Sequence, residues 1–257
     1  TGAMMRKLLI TAAVAMAPMI SPAQAADINA FVSTAIKSAT DEILPGFERA
    51  NGHTIHASYA PSGALVPRFL HGEPVDIFLT DAPALDELIK QGKITGGRVD
   101  LVRTGIGIAV KKGAPKPDVS TPEALKRALL AAKSIGHAST AGGSITGGHV
   151  QWVFRQLGIA DEVTPKVKLS MGGPNSRVSV LVSSGQAEIG LQQASELYDN
   201  PDVEVIGMLP PSLQQTTQYS AGITASAKQP DAAKAMIQAL TTPQAKAIYK
   251  AKGLEPN

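Results

Sequence analysis

From residue 28 onward, short apolar runs alternate with longer segments whose apolar residues recur every three or four positions. In the segment 35–50, for example, Ile36 and Phe47 fall on one helical face. The alternation predicts strands at 28–32, 54–59, 75–79, 101–110, 134–138, 167–171, 188–192, 203–208 and 217–224. It predicts helices at 35–50, 64–70, 84–91, 121–132, 147–157, 178–184, 231–240 and 243–252. This order indicates an α/β fold with a mainly parallel sheet.

Proline and glycine cluster at 111–117 and again at 209–211, where the regular pattern is broken. Such breaks are typical of crossings between domains. We therefore expect a first lobe formed by residues 26–110 together with 212–257, and a second lobe formed by residues 111–211. Each lobe is expected to hold a mainly parallel sheet flanked by helices, with a ligand cleft between the lobes.

Residues 1–25 are expected to combine a short cloning remnant with a secretory signal peptide. The basic residues Arg6 and Lys7 precede an apolar run at 8–20, and small residues after this run predict cleavage after about Ala25. The apolar run is too short to be assigned as a membrane span. We therefore expect a periplasmic protein without a membrane anchor.

The charge balance points away from nucleic acid as a partner. Two of the 24 basic residues lie in the leader, so the rest are nearly balanced by the 21 acidic residues and form no basic block. The sequence has no cysteine, which excludes disulfides, thiolate metal sites and a lipid-anchoring cysteine. We expect a monomer that uses no cofactor and no metal.

Four short polar segments lie where a predicted strand gives way to a helix. Such junctions gather at the carboxyl ends of strands, and helix starts present N–H groups that favour anions. Two segments come from each lobe, so we expect them to face each other across the cleft, although ordinary caps and turns are the alternative interpretation. The candidate ligand-binding residues are Ser33, Thr34, Ser62, Gly63, Ser144, Thr146, Gly147, Asn175 and Arg177, with Gln192 and Gln193 as a fifth segment after the strand 188–192.

Three side chains are candidates for charge or proton chemistry. Arg177 is the one fixed cation predicted in the cleft, and a guanidinium group pairs with a carboxylate through two parallel hydrogen bonds. This favours an organic acid as the ligand, with an exposed surface arginine as the alternative. His149 and Lys37 are the candidate catalytic acid–base groups, and capping, core or surface roles are their alternatives. The absence of a P-loop motif disfavours nucleotide hydrolysis.

Five segments together resemble the molybdate-binding family of periplasmic ABC-transporter solute receptors: 28–43, 58–81, 156–158, 187–194 and 243–255. The resemblance covers essentially the whole chain after the leader. It implies the two-lobe type II periplasmic binding fold and, for a receptor, an ABC permease as partner. The chain is also similar to a subgroup that includes periplasmic aconitate isomerases, which interconvert trans- and cis-aconitate on the receptor fold.

The resemblance carries the family's anion contacts onto five positions of this chain. The first serine falls on Ala35, and the second is kept as Ser62. The third contact falls on Thr146, the fourth on Asn175, and the tyrosine of the second lobe on Gln193. Losing two hydroxyl donors while gaining amides and an arginine indicates a roomier pocket than a tetrahedral oxyanion needs.

These observations predict that the protein binds a small anion, a di- or tricarboxylate rather than molybdate, in the cleft between two lobes. Aconitate isomerisation by an allylic proton shift is one alternative, and a molybdate or tungstate receptor of an ABC transporter is a second. The sequence therefore leaves open whether the protein is an enzyme.

Overall fold

The computed structural model describes residues 24–173 and 175–257 of the chain. The predicted signal peptide lies almost wholly outside the described residues. Ala26, which would follow the expected cleavage point, is buried, and its N–H donates to Nδ1 of His53 at 3.0 Å. The fold therefore begins directly after the expected cleavage point.

The described residues form alternating strands and helices, close to the predicted order. The strands are β1 (Asp27–Ser33), β2 (Thr54–Ala60), β3 (Ile77–Asp81), β4 (Ile94–Thr104), β5 (Ile106–Lys111), β6 (Ile135–Ala138), β7 (Val167–Ser170), β8 (Ile189–Gln193), β9 (Val203–Met208), β10 (Thr217–Thr224) and β11 (Glu255–Pro256). The helices are α1 (Lys37–Asn51), α2 (Ser62–Leu70), α3 (Ala82–Lys90), α4 (Pro122–Ala131), α5 (Ile145–Gln156), α6 (Ala160–Val163), α7 (Val178–Ser183), α8 (Ala194–Tyr198), α9 (Pro230–Ala239) and α10 (Pro243–Ala251). The pattern missed the short elements α6, α8 and β11 and the first half of β4.

The strands form two sheets, one in each lobe. The first has the order β11-β4-β10-β3-β1-β2 and the second the order β7-β6-β8-β5-β9. Pairing is parallel within β3-β1-β2 and within β7-β6-β8, and antiparallel elsewhere. The predicted two-lobe α/β fold is thus confirmed, although both sheets are mixed because the strands that connect them run antiparallel to their neighbours.

The single strand predicted at 101–110 is wrong, because the chain changes sheets at Gly105. β4 ends just before this glycine in the first sheet, and β5 begins just after it in the second. A Cβ at Gly105 would lie 2.9 Å from Cδ of Gln214, whose amide bonds both the N–H and the C=O of Ile106, at 2.8 and 3.0 Å. The crossing therefore lies at Gly105 rather than at 111–117, and residues 106–110 belong to the second sheet.

Each sheet has its own hydrophobic core. The first core combines β1, β3 and β10 with one face of α1 and the turn before it, where Phe47 and Ile36 are buried as predicted. Met236 of α9 and Tyr249 of α10 complete it. The second core packs β5, β6 and β8 against α4 and α5. Because the cores are separate, the polar strand ends between the two sheets are free to form a site.

Candidate functional site

The predicted polar junctions line one cavity of about 340 Å³ between the sheets. Predicted residues in its wall are Ser33, Thr34, Lys37, Ser62, Ser144, Thr146, Arg177, Gln192 and Gln193. Polar residues in the wall that the sequence analysis did not single out are Tyr59, Ser139, Ser170, Ser179, Glu196 and Tyr219. Both lobes therefore contribute polar groups to a single cavity.

The first-lobe wall is built around two serines. Ser62 is the first residue of α2 rather than its N-cap, since Pro61 holds that position and no side chain caps the helix. The Ser62 hydroxyl instead donates to Oγ of Ser33 at 3.1 Å, and Ser33 accepts from the N–H of Ala35 at 3.3 Å. Ser33 thus supplies a hydroxyl beside Ser62, while the replacement of the family's first serine by Ala35 stays a prediction.

The second-lobe wall contains a chain of hydrogen bonds that begins at α5. Ser144 caps this helix, and its Oγ lies 2.9 Å from Oγ1 of Thr146. Thr146 donates to Oε1 of Gln192 at 2.7 Å, and the same oxygen accepts the N–H of Gln193 at 2.8 Å. Thr146, Gln192 and Gln193 are buried, and their mutual hydrogen bonds hold them in place, as an electrostatic site requires.

Gln193 joins the second-lobe wall to the first sheet. Its Nε2 donates to Oγ1 of Thr217 at 3.2 Å and to the hydroxyl of Tyr219 at 3.1 Å. Burial raises the pKa of Tyr219 well above its usual range, so this phenol stays protonated. Tyr219 therefore brings a hydroxyl to the position where the resemblance predicted only an amide.

Each lobe places one cation in the cavity wall. Arg177 directly precedes α7, and its Nη1 lies 3.2 Å from Oδ2 of Asp199. Lys37 opens α1, pairs with Asp41 and has its Nζ 4.6 Å from the centre of the Tyr59 ring. The arginine was predicted as the cation of the site, and the structure adds the lysine on the opposite lobe.

Glu196 is the acidic group in the described part of the cavity wall. Burial raises its pKa to about 7, although a hydrogen bond from Thr34 and the charge of Arg177 oppose the rise and Asp199 adds to it. The side chain is only partly exposed. A carboxyl group with this pKa can both accept and release a proton near neutral pH.

Gly63 and Gly147, which were predicted to bind the ligand, instead allow two backbone segments to approach each other closely. The N–H of Gly63 donates to the C=O of Gly143 at 3.0 Å, which closes the lobes against each other. A Cβ at Gly63 would lie only 2.7 Å from that oxygen, and a Cβ at Gly147 would lie 2.2 Å from the C=O of Ala138. Neither glycine lines the cavity, because both are needed for close approach of the chain.

His149 and Asn175 are also not brought to the described cavity wall. Nε2 of His149 lies 2.6 Å from the C=O of Leu213, and its ring stacks on Trp152 with centroids 4.9 Å apart. Asn175 is exposed in the turn before α7. The histidine thus has the packing role that the sequence analysis gave as its alternative.

Comparison with known families agrees with this geometry. The family model for bacterial extracellular solute-binding proteins matches residues 28–255. The chain belongs to this family. Membership agrees with the expected location outside the cytoplasm, while cleavage after Ala25 stays a prediction.

Proteins that are similar to this chain have been assigned different activities. An aconitate isomerase from a Pseudomonas species is 30% identical over 248 residues, covering 94% of this chain and 92% of the relative. The molybdate-binding protein ModA of Azotobacter vinelandii is 27% identical over 238 residues, covering 90% of each chain. The substrate-binding domain of a putative molybdenum ABC transporter from Clostridium difficile matches with a TM-score of 0.68 at 18% identity, over 90% of this chain and 99% of that one. The predicted family, with its aconitate isomerase subgroup, and its fold are confirmed.

The described residues contain neither a cluster of metal-binding side chains nor a membrane-spanning helix. Residues 24–173 and 175–257 hold no group of three or more histidine, aspartate or glutamate side chains suited to a metal ion. Within the same ranges, every helix is too short or too polar to span a membrane.

The residues that sequence reasoning missed fall into two classes. Ser139 follows β6 and Ser170 ends β7, so the junction rule that selected Ser33 would have found both. Glu196 and Tyr219 carry no such signal, because α8 is too short to show a helical period and β10 enters the site from the opposite direction. Their roles depend on tertiary packing.

Proposed function

We propose that this solute-binding family member holds an aconitate-type tricarboxylate in the cavity and interconverts its trans and cis forms by an allylic proton shift. The observation that carries the proposal is the pair of cations, Lys37 and Arg177, set in opposite lobes of a hydroxyl-lined cavity. A ligand with several carboxylates can pair with both cations at once, whereas a single tetrahedral oxyanion is too compact to need two separated partners. The similarity to an aconitate isomerase over 94% of the chain supports isomerisation as the reaction.

The size of the cavity also favours an organic ligand. Its volume of about 340 Å³ lies in the lower part of the range for small-molecule sites, roughly 300–1,000 Å³. Such a space suits a six-carbon acid. The same volume is larger than a single tetrahedral oxyanion requires.

The test combines turnover with ligand binding. Purified protein is incubated with trans-aconitate and sampled for cis-aconitate by chromatography, while thermal unfolding is recorded with aconitates, citrate, molybdate, tungstate and sulfate. We expect turnover together with a higher melting temperature in aconitate. Stabilisation by molybdate without any response to carboxylates would contradict the proposal.

A carboxylate receptor is the second candidate function. The backbone bond between Gly63 and Gly143 favours it, because a receptor needs only a closed state that the ligand stabilises. In this case the protein would deliver a di- or tricarboxylate, as a monomer, to an ABC permease. Tight binding of aconitate or citrate without turnover would support the receptor over the isomerase.

A further inference from the structure

The position of Glu196 brings it to the cavity wall. It is the third residue of α8, which starts directly after the cavity-lining residues Gln192 and Gln193 of β8. Thr34, on the opposite lobe, lines the same cavity and favours the ionised form of the Glu196 carboxyl group by lowering its pKa. Next to Glu196 on α8, the Ser195 hydroxyl donates to the C=O of Ala35. The helix that carries Glu196 is therefore anchored to the first lobe, with the residue at the cavity wall.

We propose that Glu196 is the catalytic acid–base residue of this site, a role that rests on the proposed isomerase function. As the base, a carboxylate oxygen of Glu196 takes a proton from the CH₂ carbon of bound trans-aconitate. The C–H electron pair enters an allylic anion that is delocalised onto the adjoining carboxylate groups. As the acid, Glu196 then delivers a proton to the former vinylic carbon. The C=C bond has moved by one position, and the step needs no further reactant.

The other titratable groups in the described cavity wall are poorly suited to this step. Arg177 does not give up its proton in proteins, and Lys37 is paired with Asp41. Burial raises the pKa of Tyr59 to about 12 and that of Tyr219 well above its usual range, so both phenols stay protonated near neutral pH. Glu196 alone combines a place in the described wall with a proton affinity suited to neutral pH.

The charges around Glu196 are compatible with this role. Arg177 faces it from the start of α7 and favours the ionised form, while Asp199, directly after α8, favours the protonated form. Tyr219 faces it from β10, and the charge of Glu196 helps to keep that phenol protonated. Arg177 also remains close enough to interact with the negative charge that spreads over the substrate carboxylates when the proton leaves.

The decisive experiment compares Glu196→Gln with wild type in the trans-aconitate assay. Glutamine keeps the shape and can still bond Thr34, but it cannot accept the substrate proton. We expect kcat to fall at least about 100-fold while the Kd for aconitate, from calorimetry, stays within a few fold. The matched control is Asp202→Asn, which removes one negative charge from an exposed position outside the cavity wall and should keep wild-type turnover.

A pH profile gives a second readout that a merely structural role would not move. For wild type, kcat/KM should fall about tenfold per pH unit below roughly pH 7, where the base becomes protonated. Glu196→Asp should keep measurable turnover and retain this acidic limb, since its carboxylate can still titrate. Residual turnover in Glu196→Gln should lack the limb.

The outcomes separate the two proposals. If wild type does not convert trans-aconitate, the isomerase function fails and the catalytic role of Glu196 fails with it. If wild type turns over and a folded Glu196→Gln keeps that rate, only the role of Glu196 is overturned. Loss of aconitate binding together with turnover in Glu196→Gln would make Glu196 a binding residue and would also overturn the catalytic role.

Discussion

The two walls of the cavity use different chemistry. On the first lobe, Ser62 donates to Ser33 at 3.1 Å beside a helix start, and Lys37 is the cation of this wall. The second lobe contributes Arg177 together with Glu196, the acidic group in the described part of the wall. Under the proposed function, both walls supply a cation for the ligand carboxylates, and the second wall also supplies the group that moves the proton.

Removing the second-lobe cation should have the largest effect. Arg177→Ala deletes a charged hydrogen-bond donor from the cavity wall and should weaken aconitate binding by about 1.5–3 kcal/mol. Lys37→Ala, the matched change on the first lobe, should cost less, because a lysine makes a more flexible point contact. Calorimetric titration measures both. A larger loss for the lysine variant would reverse the assignment of the two walls.

The stability of the ligand-free protein should depend on Glu196 and on pH. Because folding raises the pKa of Glu196 from 4.5 to about 7, its contribution to stability is present below about pH 4.5 and is lost as the pH rises through 7. Glu196→Gln should therefore gain on the order of 1–3 kcal/mol relative to wild type between pH 4 and pH 8. Urea unfolding at both values tests this. A gain independent of pH would contradict the raised pKa.

Contact between the walls can be disturbed without damaging either lobe. In Gly63→Ala the new methyl group would meet the C=O of Gly143 at 2.7 Å, across the contact between the lobes. We expect about tenfold weaker ligand binding, or about 1.4 kcal/mol. Gly148→Ala is the control, since its methyl group would make an ordinary contact of 3.9 Å with Thr140. Equal binding by both variants would show that this closed contact is unimportant.

Removing a hydroxyl group from the first-lobe wall should weaken ligand binding least. Ser62→Ala removes one hydroxyl from the first-lobe wall and should cost about 0.5–1.5 kcal/mol in ligand binding. Replacing His149 with phenylalanine should leave ligand binding unchanged, because this ring packs on Trp152 outside the described cavity wall. Both are measured by calorimetry. A larger effect for Ser62→Ala than for Arg177→Ala would contradict the division between the two walls.

The sequence predicted much of the fold and about half of the polar site. Apolar periodicity is a local property, so β9 (Val203–Met208) and β10 (Thr217–Thr224) were predicted to the residue. The crossing at Gly105 was missed, because what bends the chain there is the side chain of Gln214, far away in sequence. The hydroxyl of Tyr219 beside Gln193 was also not predicted, because β10 belongs to the other sheet.

By itself, the sequence determined the alternation of strands and helices and the polar residues at their junctions, because both follow from short-range spacing. Only the tertiary structure decided which junctions meet, which serine bonds Ser62, and that Glu196 rather than His149 lies in the cavity wall. The proton affinity of Glu196 depends on water being excluded by the closed lobes and on Thr34 and Arg177 beside it. Such long-range burial has no signature in the local pattern of the chain.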